Sequence, residues 1–387
     1  MSSQKESLGI QRVASVHMFV RDLDRIRDHY INQLDFTETA VSTPEFEARH
    51  RARASVVEAG GARFVFMEPL GSKGESFQWL EKHPEGAGRI VFEVSDVERA
   101  YALLAKRGAT HVTGMEHEYV DGGAVAWFDI ATALGDTLFR FVQYQGDTPM
   151  MPLLRRHEVP RGGKNRFEVS GVDHLTANYL TLKPVIMWLE QVMGFEPYWD
   201  VEFHTRDVKA QEHHAGSGLR SIVMWDPHSG VKMANNEPAA PAFKASQIYV
   251  FCEDHRGPGI QHIALSVPDI ISTVRGMRER GVAFQGTPGV YYDLLPQRLH
   301  DLGVQKIEED VELLRELQIL VDGSSPGHYL LQIFMREAAF MFRDPKAGPL
   351  FIELVQRKGD KGFGAGNFRA LFESIERQHE LEGRTGT

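Results

Sequence analysis

The sequence predicts an α+β protein whose tandem βαβββ modules form two open β-barrel domains, followed by a C-terminal helix. Three observations predict this fold class. The chain has 387 residues, which is long for a single hydrophobic core. Three segments of its first half recur in the same order in its second half. Each half reads as a strand and a short helix before several further strands, whereas a doubly wound parallel sheet would alternate strands with longer helices.

Composition narrows the functional classes. The chain is 42% hydrophobic and 25% charged, which is typical of a globular protein with a sizeable core. A net charge of −10 argues against a nucleic-acid partner, which normally meets a basic surface. The single cysteine, Cys252, excludes an intrachain disulfide and fits a reducing compartment. No apolar run reaches the roughly 18 residues of a membrane span. We expect a cytoplasmic protein with no membrane partner.

The internal repeat has three collinear parts. Residues 13–36 resemble residues 169–195, and in each a strand-like run is followed by a helix-like segment. GAGRIVFEVSDVERAYALLAKRGATHV (86–112) matches GPGIQHIALSVPDIISTVRGMRERGVAF (257–284), with a strand, an acidic turn and an amphipathic helix in both. DTLFRFVQYQG (136–146) matches GPLFIELVQRKG (348–359). Three matches in one order indicate a duplicated domain.

The domain boundaries follow from the repeat. We expect an N-terminal domain over residues 1–150 and a second domain over 171–387. Residues 151–170 are rich in Arg, Gly and Pro, which predicts a linker. Strands are predicted at runs such as RFVFME, AVAWFDIA, HYLLQIFM and LFIELVQ. Apolar residues spaced three and four apart, beginning at Phe368, predict the terminal helix at about 363–382.

The two copies differ at three polar positions on matched strands. The second copy carries His174, His262 and Glu353. The first copy is aligned there with Met18, Val91, and Arg140 or Phe141. Two histidines and a carboxylate are the ligand set of a non-haem Fe(II) centre, and zinc accepts the same set. A hydrogen-bonded core histidine and a Lys or Arg partner for the carboxylate are the alternatives. Because all three groups are missing from the first copy together, we expect a shared metal site in the second domain and none in the first.

These motifs resemble a known family. The duplication together with GVDH, GIQHIAL, LLQIF, FIELVQR and GFGAGNF is similar to the 4-hydroxyphenylpyruvate dioxygenase family of the vicinal-oxygen-chelate superfamily. The resemblance covers essentially the whole chain and is densest over residues 171–378. It implies that His174, His262 and Glu353 hold Fe(II) in an open barrel. It also implies an enzyme of tyrosine catabolism that converts 4-hydroxyphenylpyruvate and O₂ to homogentisate and CO₂, and that assembles as a homodimer or homotetramer.

The resemblance also implies roles for pocket residues. The polar side chains expected to act on the substrate are Ser221, Asn236, Gln247 and Gln332. The further residues expected to bind substrate are Gln261, Phe334, Phe351, Phe363 and Phe368. Gln261 is adjacent to His262, so alternation along a strand points it to the other face unless the strand is irregular. Phe363 and Phe368 are expected to close the pocket as a lid, with simple core packing as the alternative.

Two features leave alternatives open. Ala234 and Asn235 stand before the NEP triplet, where the family usually has a proline and an aliphatic residue. They predict an altered ring preference, or a volume filled by a neighbouring side chain. Phe368 in GNF resembles the homogentisate-forming branch, and the alternative is the sister enzyme hydroxymandelate synthase, which uses the same substrate and metal. A further alternative is a non-catalytic, ligand-binding member of the superfamily.

Overall fold

The computed structural model describes residues 6–364 and Asn367, apart from Asp121, Pro149, 205–217, 241–242, Pro288 and Gln305. The described part contains two large mixed sheets with short helices, and the predicted fold class is confirmed. The predicted terminal helix, including Phe368, lies outside the described residues. No helix of the described part is long and apolar enough to cross a membrane.

The described residues of the first half build one sheet and four helices. Its strands are β1 (Ile10–Phe19), β2 (Thr37–Ser42), β3 (Ala52–Ala59), β4 (Ala62–Pro69), β5 (Gly86–Val94), β6 (Glu116–Val120), β7 (Gly123–Ile130), β8 (Leu138–Gly146) and β9 (Leu154–Gly162). Its helices are α1 (Leu23–Asn32), α2 (Pro44–His50), α3 (Glu75–Lys82) and α4 (Val97–Lys106). The strand order in the sheet is β6-β7-β8-β5-β1-β4-β3-β2-β9.

The second half builds the second sheet. Its strands are β10 (Gly171–Asn178), β11 (Glu196–His204), β12 (Gly218–Trp225), β13 (Lys232–Ala239), β14 (Gly259–Ser266), β15 (Leu320–Ser325), β16 (His328–Phe334) and β17 (Phe351–Lys358). Its α-helices are α5 (Lys183–Trp188), α6 (Gln247–His255), α7 (Ile270–Glu279), α8 (Gly289–Asp301), α9 (Val311–Leu317) and α10 (Ala338–Met341). A π-helical turn over Leu189–Met193 continues α5, and 3₁₀ turns cover Phe243–Ala245 and Pro345–Ala347.

The two sheets have the same topology. The order of the second, read as β15-β16-β17-β14-β10-β13-β12-β11, matches the first eight strands of the first sheet one for one. The central pairs β1–β4, β5–β8, β10–β13 and β14–β17 are parallel, and β1–β5 and β10–β14 are antiparallel. The structure therefore repeats the same module arrangement that the three collinear sequence matches indicate.

The equivalent helices α4 and α7 begin with the same kind of N-cap. Asp96 and Asp269 are the N-caps of α4 and α7, and each carboxylate accepts a hydrogen bond from the backbone N–H three residues later. The buried residues of α4 recur three and four apart, as an amphipathic helix on a sheet requires: Val97, Ala100, Leu103 and Leu104. The acidic turn seen in both sequence copies is therefore a helix cap.

The segment expected to be a linker contains regular structure. Residues 154–162 form β9, which pairs antiparallel with β2 at the edge of the first sheet. The side chains of this strand are mostly exposed, which explains its polar, arginine-rich sequence. An edge strand with one solvent face needs few apolar residues. Its amino-acid composition therefore resembles that of an interdomain linker.

Candidate metal centre

The three candidate ligands lie on three neighbouring strands of the second sheet. His174 is on β10, His262 on β14 and Glu353 on β17, and these strands are adjacent in the order β10-β14-β17. Ala264 of β14 pairs with His174 on one side and with Glu353 on the other. The register of three central strands thus brings together residues that are up to 179 positions apart in the sequence, from 174 to 353.

The donor atoms converge. Glu353 Oε2 lies 3.3 Å from His174 Nε2 and 3.1 Å from His262 Nε2. One ligand atom from each residue lies within 4.8 Å of the others, and all three side chains are buried. Two imidazoles and one carboxylate around a common point form a donor set that fits a divalent transition metal.

The far side of each imidazole is also held. His174 Nδ1 lies 2.9 Å from Asp173 Oδ1, and His262 Nδ1 lies 3.2 Å from Gln261 Oε1. Because a carboxylate only accepts, His174 carries its proton on Nδ1 in the neutral ring. This tautomer leaves Nε2 free to act as a ligand, as the outer partners of metal-binding histidines commonly ensure. Asp173 is in turn held by Arg357 through two hydrogen bonds of 2.7 Å.

Electrostatics favour the metal-binding protonation state at Glu353 and His262, whereas at His174 burial is outweighed by the charges and hydrogen bonds of Glu353 and Asp173, which raise the pKa. Burial raises the pKa of Glu353, but the charge of His174 and hydrogen bonds from both histidines outweigh it and lower that pKa to about 2. Burial lowers the pKa of His262 below its usual value. An ionised carboxylate and a neutral imidazole are the forms that bind metals.

Aromatic rings surround the centre. Phe351 stacks on the His262 ring at 4.9 Å between centroids, and Phe334 lies edge-on to it at 6.0 Å. Phe363 meets the His174 ring edge-on at 4.8 Å. All three phenylalanines are buried. The sequence-predicted aromatic lining is therefore assembled around the two histidines, apart from Phe368, which is outside the described residues.

A β-bulge decides where Gln261 points. In the β10–β14 pair, Thr176 faces His262 and Ala177 faces Ile260, so Gln261 is the extra residue. The bulge turns its side chain toward the His262 ring, and its Nε2 also lies 3.3 Å from Oε1 of Gln247, the first residue of α6. The strand is therefore irregular at Gln261, so its side chain does not follow the simple alternation of faces.

A buried polar floor lies beside the metal centre. Ser221 on β12 pairs with Asn236 on β13, which pairs with Asn178 on β10. Asn236 Nδ2 donates to Asn178 Oδ1 at 3.0 Å. Four buried atoms of this floor have no hydrogen-bond partner among the described residues: Thr176 Oγ1, Asn178 Nδ2, Ser221 Oγ and Asn236 Oδ1. Buried polar atoms of this kind require a partner, which a bound substrate can supply.

Sequence reasoning singled out Ser221 and Asn236 but missed Thr176 and Asn178. A signal was present, because both follow His174 at steps of two on the same strand and so share its face. With Ala234 and the two histidines as neighbours, Thr176 is the residue of the floor nearest to the metal centre along β10.

The two unusual residues before NEP face opposite ways. Ala234 packs with Val223 and Phe363 on the site face. Asn235 points to the other face, where Tyr179 donates to its Oδ1 and its Nδ2 donates to Ile222 O and Met233 O. The volume beside Ala234 is therefore filled by neighbouring side chains, and Asn235 has a structural set of hydrogen bonds.

The matched positions of the first half differ from those in the sequence alignment. Ser15 pairs with Val91, and Val91 with Arg140, as His174 pairs with Ala264 and Ala264 with Glu353. The equivalents of the three ligands are therefore Ser15, Arg89 and Arg140. The sequence alignment placed Val91 opposite His262 because it matched Gly86 with Gly257, and it placed Met18 opposite His174 because it matched Val13 with Val169. Strand pairing sets a different register at both places.

Those positions hold a buried ion-pair cluster. Arg140 makes two hydrogen bonds of 2.7 Å to Asp129, and Arg89 Nη2 lies 3.4 Å from the same carboxylate and 2.5 Å from Glu75. Two guanidinium groups thus occupy the positions of His262 and Glu353. Cationic side chains repel a metal ion, so this half offers an unsuitable donor set at the equivalent place.

Comparisons with known proteins agree with this geometry. Residues 9–134 and 171–295 match the model of the Glyoxalase/Bleomycin resistance protein/Dioxygenase superfamily. The chain is 36% identical over 333 residues to a 4-hydroxyphenylpyruvate dioxygenase of Caenorhabditis briggsae, covering 83% of this chain and 80% of that protein. It is 33% identical to one of Dictyostelium discoideum, covering 92% and 94%.

A solved structure is also similar. A triple mutant of 4-hydroxymandelate synthase from Streptomyces coelicolor superposes with a TM-score of 0.79 at 25% identity, covering 96% of this chain and 99% of that one. The resemblance first read from the motifs is confirmed. This chain belongs to the 4-hydroxyphenylpyruvate dioxygenase family within the Glyoxalase/Bleomycin resistance protein/Dioxygenase superfamily.

Proposed function

We propose that this protein is an Fe(II)-dependent dioxygenase that converts 4-hydroxyphenylpyruvate and O₂ to homogentisate and CO₂. The observation that carries the proposal is the buried convergence of His174, His262 and Glu353, in a chain whose relatives bear that enzyme's name. Three protein ligands leave coordination positions for a chelating 2-oxo acid and for O₂. Bound Fe(II) would supply the redox chemistry and the Lewis acidity for decarboxylation and ring oxidation.

The side chains of the site would bind and orient the substrate. The neutral hydroxyl and amide groups of Ser221, Asn236 and Asn178 can pair with a phenol hydroxyl without competing for the metal. Gln332 holds Glu353 through its Nε2 at 2.8 Å, and Gln261 connects His262 with Gln247. Phe334, Phe351 and Phe363 would exclude water from the reacting groups, with Phe368 proposed to complete this lining.

A product assay tests the proposal directly. The purified protein is loaded with Fe(II) and mixed with 4-hydroxyphenylpyruvate in aerated buffer, while O₂ uptake is recorded and products are separated by chromatography. We expect O₂ uptake, CO₂ release and homogentisate. Protein treated with a chelator provides the control. Fe(II)-loaded protein that binds the metal but consumes no O₂ with this substrate would overturn the assignment.

The structural likeness to 4-hydroxymandelate synthase supports a second candidate, in which the benzylic carbon is hydroxylated and the product is 4-hydroxymandelate. The same chromatogram distinguishes the two products. A related aryl 2-oxo acid would be favoured if neither product forms but another aryl pyruvate supports O₂ uptake.

The proposal extends to domain roles and assembly. We infer that residues 171–387 carry the reaction and that residues 1–150 serve a structural role. A homodimer or homotetramer in the cytoplasm is proposed as well, and Cys252, the single and buried cysteine, suits a reducing compartment. Light scattering of the purified protein measures the assembly, and a monomer would contradict this part.

A further inference from the structure

A continuous line of hydrogen bonds leads away from the metal centre. Glu353 directs Oε2 to both histidines, and its Oε1 accepts from Gln332 Nε2 at 2.8 Å. Gln332 Oε1 accepts from Asn367 Nδ2 at 2.9 Å. The Oδ1 atom of Asn367 lies 2.7 Å from the hydroxyl of Tyr291, which in turn accepts from Arg298 Nη2 at 2.6 Å. We call these five residues the relay.

The carboxylate end of the relay fixes the orientation of its two amide side chains. A carboxylate only accepts hydrogen bonds and a guanidinium only donates them. Gln332 must therefore present its NH₂ to Glu353 and its oxygen to Asn367. The oxygen of Asn367 then faces Tyr291. The Tyr291 hydroxyl accepts from Arg298 Nη2 and from the Val321 N–H, and its hydrogen has two acceptors in reach, Asn367 Oδ1 at 2.7 Å and Val321 O at 2.8 Å.

The relay is buried and holds a segment against the centre. Gln332, Asn367, Tyr291 and Glu353 are all less than one-tenth exposed. Gly364 has a φ of +65°, and a Cβ there would lie 2.8 Å from Gln332 Oε1, so the backbone passes directly over this amide. Phe363 covers His174 in the same segment. Interrupting a buried polar network leaves unpaired groups in a low-dielectric environment, which is costly.

We propose that Tyr291 is a positioning residue for the metal centre. With Arg298 it fixes the side chain of Asn367, which orients Gln332 and through it the carboxylate of Glu353. The same bonds hold Asn367 beside the centre, close to Gly364 and Phe363. Tyr291 lies on α8, outside the group of residues that touch the metal ligands, and it is absent from the sequence-based candidates. The effect on turnover rests on the proposed function, whereas the effect on metal affinity does not.

The neighbouring tyrosine offers a matched control. Tyr292 is on the same helix and is also buried, and its hydroxyl donates to Ile319 O at 3.1 Å, outside the relay. Tyr291→Phe and Tyr292→Phe each remove one buried hydroxyl. A comparison of the two variants therefore separates the loss of the relay from the general cost of an unpaired buried group.

The experiment measures metal affinity, local exchange and kinetics. Fe(II) and Zn(II) affinities of both variants are determined by competition with a chelator. Hydrogen exchange is followed in the peptide that carries Asn367. We expect Tyr291→Phe to lower metal affinity about 10- to 100-fold, the range seen for outer partners of metal ligands. Exchange of the peptide should accelerate and kcat should fall, while Tyr292→Phe matches the wild type in all three.

A double-mutant cycle gives a second criterion. Within one relay, the effects of Tyr291→Phe and Asn367→Ala on metal affinity should be less than additive. Additive effects, or a Tyr291→Phe affinity equal to that of Tyr292→Phe, would overturn the inference. Altered affinity in a protein with no turnover of 4-hydroxyphenylpyruvate would instead contradict the proposed function and leave the relay supported.

Discussion

At the scale of single residues, the site is defined by polar atoms placed where an apolar strand core is expected. Glu353 lies in the run FIELV and is 1% exposed, so its charge depends on what faces it. Both imidazoles face its Oε2 atom, and Gln332 donates a hydrogen bond to its Oε1 atom. The Thr176 hydroxyl is buried and has no hydrogen-bond partner in the part of the chain that the structure describes. These two residues suggest separate tests of metal binding and of substrate binding.

Replacing Glu353 with alanine should lower metal affinity by more than the roughly 10- to 100-fold that an outer partner costs, and should abolish turnover. The reason is the loss of the single carboxylate in the donor set. Chelator competition and O₂ uptake measure the two effects. Glu38→Ala is the matched control, because Glu38 is also buried and lies 3.1 Å from a histidine, His157, in the first half. Wild-type affinity in Glu353→Ala would contradict the ligand assignment.

Replacing Thr176 with valine keeps the volume of the side chain and removes its hydroxyl. We expect weaker binding of the 2-oxo acid by about fivefold to a hundredfold, because a polar substrate atom loses its partner in a buried site. Anaerobic titration of the metal-loaded protein measures it. Thr148→Val removes a similarly unpartnered, buried hydroxyl in the first half and should change nothing. Equal substrate affinity in both variants would exclude Thr176 from recognition.

At the scale of strands, two β-bulges explain how the histidines are oriented. In the β10–β14 pair the extra residues are Asp173 and Gln261, and each precedes a candidate ligand. Each bulged side chain reaches Nδ1 of the histidine that follows it. The first half keeps both bulges at the matched places, with Ala14 and Gly88 as the extra residues. The backbone device is thus common to both halves, and only the side chains differ.

The Asp173–Arg357 pair ties β10 to β17 and can be tested by Arg357→Met. Asp173 would remain buried as an uncompensated charge, so we expect a loss of roughly 3–5 kcal/mol in the free energy of unfolding. Denaturant unfolding of the metal-free protein measures this loss. The double variant with Asp173→Asn should recover a large part of it. Equal stabilities of the single and double variants would show that the charge is not the cause.

At the scale of the whole molecule, the same fold occurs twice, but the matched positions on the central strands carry different charged groups in the two halves. The central strands of the second half present two imidazoles and a carboxylate. At the matched positions, the first half presents two guanidinium groups held by Asp129. The halves also touch directly, where His83 Nδ1 lies 2.8 Å from the carbonyl oxygen of His255. We therefore expect changes in the first cluster to alter stability and to leave metal affinity unchanged.

Asp129→Asn tests this separation and its pH dependence. Burial raises the pKa of Asp129, but Arg89 and Arg140 outweigh it and hold that pKa below its usual value. The carboxylate therefore stabilises the fold above the unfolded value of about 3.9 and loses this effect as the pH falls through the lower folded value. At pH 7 the variant should be less stable than the wild type, and the difference should narrow below about pH 4.

The measurement is denaturant unfolding from pH 7 to pH 3, with metal affinity determined alongside. Asp147→Asn, an exposed partner of Arg156, is the control and should lie within about 0.5 kcal/mol of the wild type. A stability difference that grows toward acid would contradict the assigned charge state. A large change in metal affinity would contradict the structural role of the first half.

Much of this protein could be predicted from its sequence alone. The duplication, the α+β module and the family resemblance all follow from short motifs that recur in order, because helix caps and strand patterns are local properties. His174, His262 and Glu353 could be selected as a set because each is a polar residue in an apolar strand and all three groups are missing from the first copy. Asn178, two steps beyond a floor residue, could have been found by the same alternation.

Other features depend on contacts that only the tertiary structure decides. A bulge adds one residue to a strand without any strong sequence signal, so the register of the first half and the direction of Gln261 became clear only from strand pairing. The polar sequence of β9 does not indicate a strand, because this edge strand forms only by pairing with β2. The relay joins Tyr291 to Glu353 across 62 positions of sequence, and such a path exists only once α8, β16 and β17 are packed together.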